Sequence, residues 1–343
     1  MTEPMMTTSS TTCNTDGPTK VVSYVIANET EGGALFLYGD PNASNIIICC
    51  AGYPDDHSIM QPFALRLARE GSYFLGVMCL PGFDDTPEKP WTSHKKEGYT
   101  FDEMTGAIRE AVKVLRAEST FEGAKLTGIF HDWGVYPGSI WAKRAMEEKN
   151  PEAKPDQLVL FDVLPPPNRA TSDVPKAPKP TLYEIIVSLT YRMVLAISFL
   201  LQLYLSKLLA GCTVIVGFTI IKVCRLDPTY DIDTVIVRKH KKDLSRMIYM
   251  GYPYRNFFQV LFSGNYKDFV LPKDLSETPV LYMYGTKKRI HFHDQRSLKI
   301  LEREEKEGRS KSKAVAVKNA GHWFYVQRAD LCIEAVKSYI AED

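Results

Sequence analysis

The feature that most restricts the fold is an alternation of short apolar runs with longer segments of helical period. Residues 45–54 form an almost unbroken apolar run, which is typical of a strand covered on both faces, and residues 72–82 predict a further strand. Residues 100–119 instead carry apolar side chains at helical spacing, with Thr100 or Asp102 as the predicted N-cap. The alternation returns near the C-terminus. It predicts an α/β protein with a mostly parallel sheet and helices on both faces.

The same pattern divides the chain into four parts. Residues 1–19 are polar, rich in Ser and Thr, and lack the apolar core of a secretory signal, so we expect a disordered tail. Residues 20–163 and 279–343 carry the alternation and predict the two parts of one core. Residues 164–278 interrupt it, which predicts an inserted, largely helical cap.

The charge balance and the cysteines restrict the classes of function. The chain has 42 basic and 41 acidic residues and a formal charge of +1, so the balance does not favour nucleic acid as a partner. The 7 cysteines are odd in number and form no paired CxxC ligand set, and several lie in apolar runs. These features predict buried free thiols, no structural zinc and a reducing, cytoplasmic compartment.

Reactive side chains follow several of the predicted strands. Asp132 and Asp162 each end an apolar run, and residues 52–54 and 285–289 follow two others. Residues 321–323 come after the last strand. Because ligands bind outside the carboxyl ends of parallel strands, we expect these five places to meet in one site.

The stretch FHDWG, residues 130–134, has the form of a nucleophile elbow, a sharp strand-to-helix turn that exposes one reactive side chain. Asp132 stands in the nucleophile position, and a helix cap or a turn residue is its structural alternative. His322, after the last strand, is the predicted base. The backbone N–H groups of Tyr53 and Trp133 are the predicted oxyanion donors. No G-x-S-x-G occurs in the sequence, which disfavours a serine esterase or lipase.

These motifs resemble the α/β-hydrolase superfamily, specifically its epoxide hydrolase and haloalkane dehalogenase branch. The resemblance extends over most of residues 20–343 and rests on AGYP, LPGFDDT, YTFDEM, HDWG and GHW. It implies an α/β-hydrolase fold, an alkyl-enzyme ester on Asp132, and hydrolysis of that ester by water that His322 activates. It implies no metal ion and no organic cofactor. An aromatic residue at Tyr53 is typical of the epoxide hydrolases, whereas dehalogenases commonly carry Asn there.

The resemblance also implies tyrosines in the cap that donate a proton or a hydrogen bond to the leaving oxygen. The stretch MGYPYRNFFQ is similar to the family's N-x-Y-R-N motif and gives this role to Tyr254. Tyr252 and Trp133 are predicted substrate contacts. Alternatively, Tyr252 and Tyr254 pack within the cap. The second tyrosine stays open between Tyr191 and Tyr183.

The acid that orients His322 departs from the commonest family pattern. Residues 285–288 read Gly-Thr-Lys-Lys where G-x-x-D is expected, and Asp294 is expected to cap the next helix. Some dehalogenases carry the acid after the sixth strand, and Asp162 lies at that point. Asp162 is therefore the predicted third member of the triad, with a turn-capping carboxylate as the alternative.

Two further residues depart from the family pattern. Phe130 occupies a small-residue position before the elbow, where its bulk is expected to crowd the turn. Ala51 replaces the His of H-G-x-P. Neither departure removes a reacting group.

The cap contains an unusually apolar segment, residues 193–221. Because Asp132 and His322 flank it and must meet on one side of a bilayer, a single crossing is disfavoured, and the halves on either side of Lys207 are each expected to be too short to cross. Three interpretations remain: a helical hairpin in one leaflet, an in-plane helix, or cap helices that line a substrate tunnel. Residues 237–246 add basic side chains that attract anionic lipid, or form an ordinary solvated face. We predict peripheral or monotopic membrane association.

The predicted function is hydrolysis of a lipophilic epoxide. Two alternatives stay open: another Asp-nucleophile hydrolase of the dehalogenase type, and a catalytically silent, membrane-associated interaction protein with the same fold. Retention of Asp132 together with His322 favours an enzyme.

Overall fold

The structure is a computed structural model. It describes residues 17–26, 32–84, 94–148, 154–168, 178, 180–224, 226–227, 244–264 and 268–342. Most of the predicted tail and residues 237–243 of the basic stretch lie outside the described residues.

Ten strands are present in the described part of the chain: β1 Lys20–Val25, β2 Gly32–Gly39, β3 Asn45–Cys50, β4 Phe74–Met78, β5 Lys125–His131, β6 Gln157–Phe161, β7 Val163–Leu164, β8 Val280–Gly285, β9 Phe292–His293 and β10 Lys313–Val317. Eight of them form one sheet in the order β1-β2-β4-β3-β5-β6-β8-β10, and β7 pairs with β9. Strand β2 is antiparallel to both of its neighbours, and the six strands from β4 to β10 are parallel. The predicted α/β class with a mostly parallel sheet is confirmed.

The helices of the described residues connect and cover this sheet. They are α1 His57–Gly71, α2 Phe101–Glu118, α3 Val135–Glu147, α4 Leu182–Tyr204, α5 Lys207–Val223, α6 Leu244–Tyr249, α7 Tyr252–Ser263, α8 Gln295–Glu307, α9 Phe324–Gln327 and α10 Ala329–Ala341. Helix α2 begins at a capping box: the Thr100 hydroxyl accepts from the Glu103 N–H while the Glu103 carboxylate accepts from the Thr100 N–H. Asp102 lies in the first turn instead of capping it.

The parallel strands are buried on both faces, as their unbroken apolar runs predict. Along β3, Ile46 and Ile48 pack into the core cluster under α2 and the cap, whereas Ile47 and Cys49 pack into the cluster under α1 and α10. All four side chains are 0% exposed. Each fully buried aliphatic side chain contributes about 1.5–3 kcal/mol to folding, so the double-sided burial fixes the register of the central strands.

The apolar segment of residues 193–221 is not one helix. Helices α4 and α5 form an antiparallel hairpin joined at Leu205 and Ser206, and the Ser198 hydroxyl donates to the Ala210 carbonyl across it at 2.8 Å. The expectation that each half is too short to cross a bilayer is wrong for α4. That helix starts at Leu182 and has 23 residues, with a mean hydropathy of 1.8 in its most apolar window. By length and composition alone it could cross a membrane.

Candidate active site

Asp132 occupies the sharp turn between β5 and α3. Its φ is +50°, in the left-handed region that costs a non-Gly residue on the order of 1–3 kcal/mol. The turn packs closely on the end of β3: a Cβ placed on Gly134 would lie 2.6 Å from the Cys50 carbonyl oxygen. A strained aspartate between a buried strand and a helix is the geometry that the FHDWG stretch predicts for a nucleophile elbow.

Phe130 fits beneath this turn because two glycines leave room for its ring. A Cβ on Gly128 would lie 2.6 Å from the ring and one on Gly138 would lie 2.5 Å from it. Phe130 is 0% exposed and its ring meets that of Trp141 edge to face. The expected crowding of the elbow by Phe130 is therefore absent, since its bulk replaces side chains that these glycines lack.

His322 and Asp162 form a buried pair next to the elbow. Nδ1 of His322 lies 2.6 Å from Oδ2 of Asp162. Asp162 follows β6 with a φ of +71°, its N–H donates to the Met283 carbonyl at 2.8 Å, and its side chain is 0% exposed. Asp294, which follows β9, caps α8 through the N–H groups of Arg296 and Ser297. The structure thus brings Asp162, and not Asp294, to the far nitrogen of His322.

Burial and charge set the protonation of these groups. Burial raises the pKa of Asp132 to about 6, although His322 opposes the shift. Burial lowers the pKa of His322, but Asp162 and Asp132 outweigh it, so this pKa lies above its usual value. Burial alone would raise the pKa of Asp162, but Lys288 and His322 outweigh it and hold this pKa well below its usual range. The site therefore contains an ionised acid, a base that retains its proton readily, and a carboxylate that ionises near pH 6.

Lys288 is the site residue that the sequence reasoning missed. It is 5% exposed and its Nζ donates to both carboxylate oxygens of Asp162. The available signal was its position: it stands third after Gly285, where the family resemblance expects the triad acid.

A cavity of about 80 Å³ lies between the strand ends and the cap hairpin. Its lining combines the predicted reacting groups with aromatic and aliphatic side chains: Tyr53, Pro54, Asp132, Tyr191, Phe218, Ile221, Leu226, Asp227, Tyr254, Lys288, Phe292, His322 and Trp323. Tyr254 stands at the centre of an aromatic group, with its ring centroid 4.7 Å from Trp133, 5.0 Å from Tyr53 and 6.4 Å from Tyr191. The pocket is thus lined by both the core and the cap.

The tyrosines of the cap separate into two kinds. Tyr254 and Tyr191 line the pocket with Asp132, and burial raises the pKa of both hydroxyls, that of Tyr191 to about 12. Tyr183 is 48% exposed and lies outside the pocket lining. Tyr252 is 0% exposed and its hydroxyl donates to the Pro81 carbonyl at 2.9 Å. The predicted substrate contact of Tyr252 is therefore replaced by a packing role.

Trp133 and the loop after β3 meet at the elbow. A Cβ on Gly52 would lie 2.2 Å from the Trp133 nitrogen and 2.7 Å from Oδ2 of Asp132. Only glycine allows this approach, which brings Tyr53, the next residue, to the same wall of the pocket. The Trp133 indole lies against Tyr254 and donates a hydrogen bond to its hydroxyl, so Trp133 contacts the pocket through that tyrosine.

Three possible metal ligands, His131, Asp162 and His322, have donor atoms within 4.8 Å of one another. They do not suit a cation. The Lys288 ammonium already occupies both oxygens of Asp162, and Nε2 of His131 lies 3.2 Å from the His322 carbonyl oxygen. The cluster instead fits a proton-transfer pair supported by a buried neutral imidazole, because burial lowers the pKa of His131 to about 3.

Solved structures of known proteins, and not known sequences, identify the fold of this chain. No protein-family model matches the sequence, and no curated protein matches it either. Solved structures do. A point mutant of potato epoxide hydrolase is 12% identical with a TM-score of 0.59, and the alignment covers 91% of this chain and 96% of that one. The chain has the α/β-hydrolase fold.

Two other structures show that this fold carries more than one activity. Bacillus megaterium epoxide hydrolase, solved with an inhibitor, is 14% identical with a TM-score of 0.55 and coverage of 91% of this chain and 98% of that chain. A thermophilic esterase from Thermogutta terrifontis, with malate bound, is 15% identical with a TM-score of 0.55 and coverage of 94% and 98%. An α/β-hydrolase fold with such neighbours does not define an activity, so the function depends on the site.

Proposed function

We propose that this α/β-hydrolase-fold protein is an epoxide hydrolase that forms an alkyl-enzyme ester on Asp132. The observation that carries the proposal is the placement of the Asp132 elbow, the His322–Asp162 pair and the Tyr191 and Tyr254 side chains around one apolar pocket. Each of these groups has a task in opening a three-membered ether and none is suited to acyl transfer from serine.

The first half-reaction is attack on the epoxide. The Asp132 carboxylate bonds to one ring carbon, and the bond between that carbon and the ring oxygen breaks. Tyr191 and Tyr254 donate hydrogen bonds to the oxygen as it becomes negative, and one of them gives up its proton to it. Their raised pKa values keep both hydroxyls protonated at neutral pH, as a donor requires.

The second half-reaction is hydrolysis of the ester. Neutral His322 removes a proton from water, and the resulting hydroxide attacks the Asp132 carbonyl carbon. The N–H groups of Tyr53 and Trp133 hold the oxyanion that forms. Collapse breaks the bond between the carbonyl carbon and the alkyl oxygen and leaves Asp132 as a carboxylic acid. The proton of this acid goes to the leaving alkoxide, which releases a vicinal diol and restores the carboxylate, and the proton on His322 returns to the tyrosinate.

The pair of tyrosines favours an epoxide over a halide. A leaving halide needs hydrogen-bond donors but no proton, whereas an alkoxide needs both. The pocket offers two hydroxyls and has Tyr53 where dehalogenases carry Asn, so a dehalogenase-like reaction is the second candidate. A silent scaffold would not need the strain stored at Asp132.

An isotope experiment tests the reaction. After several turnovers in water labelled with ¹⁸O, peptide mass analysis should find label in the Asp132 carboxylate, because water attacks that carbonyl. A lipophilic epoxide such as a fatty-acid epoxide is the substrate to use, and the product should be its diol. Diol formation with unlabelled Asp132 would contradict the ester mechanism, and the absence of diol for all epoxides tested would contradict the function.

We also propose that the cap hairpin docks on a lipid surface. Its two helices carry an outward apolar stripe at helical spacing. The members of this apolar stripe are between 37% and 79% exposed: Leu182, Ile186, Leu189, Met193, Ile197, Leu200 and Tyr204 on α4, and Leu208, Ile215, Val216 and Val223 on α5. A helix face that only meets water is normally polar, so the apolar stripe is suited to an apolar partner.

Two observations favour a bilayer as that partner. From Ile185 to Leu226 the sequence has no Asp or Glu, while Lys207 and Lys222 are exposed near the two ends of α5. Such a surface attracts anionic headgroups and tolerates acyl chains. The inner faces of the same helices line the pocket through Tyr191, Phe218 and Ile221. A substrate dissolved in the membrane would therefore reach the pocket through the element that contacts the lipid.

Vesicle flotation tests the docking. We expect the protein to float with vesicles of phosphatidylcholine and phosphatidylserine, and less with phosphatidylcholine alone. The triple change Leu208→Gln, Ile215→Gln and Val216→Gln should abolish flotation and leave turnover of a water-soluble epoxide unchanged. Matched changes at exposed apolar residues outside the cap, Val25→Gln and Leu331→Gln, should have no effect. Equal flotation of the triple variant and the wild type, or no flotation of either, would refute the proposal.

A further inference from the structure

The buried lysine beside the triad acid has a specific geometry. The Lys288 and Asp162 side chains are 2% and 0% exposed. Nζ lies 2.5 Å from Oδ2 of Asp162, the oxygen that Nδ1 of His322 contacts at 2.6 Å from another side, and 4.3 Å from the centroid of the Phe292 ring. A buried ion pair is often no more stabilising than apolar side chains of the same volume, so stability alone does not account for the lysine.

The backbone on both sides of Lys288 is held in place. The Lys287 N–H donates to the Ala320 carbonyl at 2.9 Å, and the Arg289 N–H donates to the Leu226 carbonyl at 3.2 Å. The ammonium therefore reaches Asp162 from a fixed loop, although lysine is a flexible side chain. This loop is where the family resemblance places the triad acid. Here the acid comes from the end of β6 and a cation stands in the loop.

Lys288 is a positive charge among several negative groups around His322. Asp162 after β6 and Asp132 at the elbow act on the imidazole itself. Near it, Asp55 after β3 accepts from the Trp323 indole at 2.8 Å, and the Asp227 carboxylate accepts from the His322 backbone N–H at 2.6 Å. His131 of β5 adds a neighbouring imidazole. Burial lowers the pKa of His322, Asp162 and Asp132 raise it, and Lys288 lowers it.

We propose that Lys288 is a positioning residue that fixes the Asp162 carboxylate towards His322 and offsets its charge, so that His322 is neutral when the ester must be hydrolysed. The inference deepens the proposed function and rests on it. Once Asp132 is esterified it carries no charge, and Asp162 becomes the main partner of His322. Without Lys288 the full negative charge of Asp162 would act on His322 alone. His322 would then keep its proton at neutral pH and could not serve as the base.

Three substitutions separate charge from contact. Lys288→Met removes both the charge and the hydrogen bonds, Lys288→Gln keeps a donor and removes the charge, and Lys288→Arg keeps both. NMR titration of labelled histidine, with the His322 signal identified by its loss in His322→Gln, should show the His322 pKa raised by about 1 unit or more in the Met and Gln variants. In Lys288→Arg it should stay at the wild-type value.

Kinetics supply the second measurement. In single turnovers of Lys288→Met and Lys288→Gln, the rate of ester formation should change by less than about twofold. The rate of ester hydrolysis at pH 7 should fall by about tenfold. The pH at which the hydrolysis rate rises should move upward by about 1 unit, as the His322 pKa does. Lys288→Arg should restore both. Equal loss of both half-reactions with no movement of the limb would mean that Lys288 only supports the fold, and would overturn the proposal.

The two proposals fail in different ways. If no epoxide is hydrolysed by the wild type, the proposed function is wrong, and the titration of His322 in the resting protein still decides the effect of Lys288. If epoxides are hydrolysed and the His322 pKa is the same in all Lys288 variants, the function stands and the role of Lys288 is refuted. Should Lys288→Met fail to fold, Lys288→Gln and Lys288→Arg decide the question.

Discussion

The floor of the pocket, formed by Asp162, His322 and Lys288, differs from the outer face of the cap hairpin in which kind of side chain is buried and which is exposed. On the floor, charged groups are buried and every one of Asp162, His322 and Lys288 contacts another. On the hairpin, the members of the apolar stripe are apolar yet between 37% and 79% exposed. The contacts among Asp162, His322 and Lys288 account for the residues of the floor, whereas an apolar face with this much exposure is unusual for a helix that meets only water. The first region therefore supports the proposed reaction, and the second supports the proposed docking on lipid.

The largest effect should follow from His322→Gln on the floor. The variant can still form the ester but lacks the base that activates water, so steady-state turnover should fall by about 10²–10⁴-fold. Intact-mass analysis should find the protein heavier by one substrate molecule. A variant that is equally slow but accumulates no adduct would place His322 in the first half-reaction and break the proposed division of tasks.

A substitution on the inner side of the cap should lower the reaction rate less than His322→Gln does. Tyr254→Phe removes one of two donors to the leaving oxygen and should lower the rate of ester formation by about 10²-fold without changing ester hydrolysis. Tyr252→Phe is the matched control, because that hydroxyl bonds to Pro81 away from the pocket. It should leave turnover unchanged and cost about 1 kcal/mol of stability. Equal rates for the two variants would remove Tyr254 from the chemistry.

The pH dependence should distinguish the buried nucleophile from an exposed carboxylate. Attack requires ionised Asp132, whose pKa is raised to about 6 by burial, so the rate of ester formation should fall as pH decreases through this value. Below it, the rate should drop by about tenfold per pH unit. Rapid-quench measurement, corrected for acid hydrolysis of the free epoxide, provides the profile. A rate that stays level down to about pH 4 would show that the nucleophile titrates as an exposed Asp.

The smallest effects compare packing in the two regions directly. Gly138→Ala forces a Cβ into the Phe130 ring and should destabilise the protein by about 1–3 kcal/mol in thermal or denaturant unfolding, whereas Ile215→Gln on the stripe should change it by less than about 0.5 kcal/mol. Adding Phe130→Leu to Gly138→Ala should recover part of the loss. If Ile215→Gln is the more destabilising change, the stripe is held by packing and not left open for a partner.

Much of the fold was predictable because its signals are local. The unbroken apolar run of β3 indicated a strand buried on both faces, and the spacing of residues 100–119 indicated α2. The apolar segment of residues 193–221 was less predictable, since α4 extends back to Leu182 through residues with a mixed pattern. Helix ends depend on caps such as Thr181, which a scan for apolar residues does not detect.

Site residues could be predicted from sequence where the position along the chain leaves one candidate, and not where two similar residues lie close together. Asp132 in its turn and His322 after the last strand are indicated by sequence, because their positions follow from the order of the strands. Tyr252 and Tyr254 are two residues apart, and the sequence could not tell which one faces the pocket. On a helix, neighbours two apart point in directions about 160° from one another, so packing of α7 decided it.

By itself the sequence determined the α/β class, the elbow that holds Asp132 and the apolar character of the cap, because each depends on the order and spacing of residues along the chain. Tertiary structure alone decided that Phe130 fits over Gly128 and Gly138, and that Lys288 meets Asp162. Phe130 is close to both glycines in the chain, but only the packing around its ring decides that they leave room for it. Asp162 and Lys288 lie 126 positions apart in the chain, and no sequence pattern links them. A buried charge pair exists only where folding removes water from both partners at once.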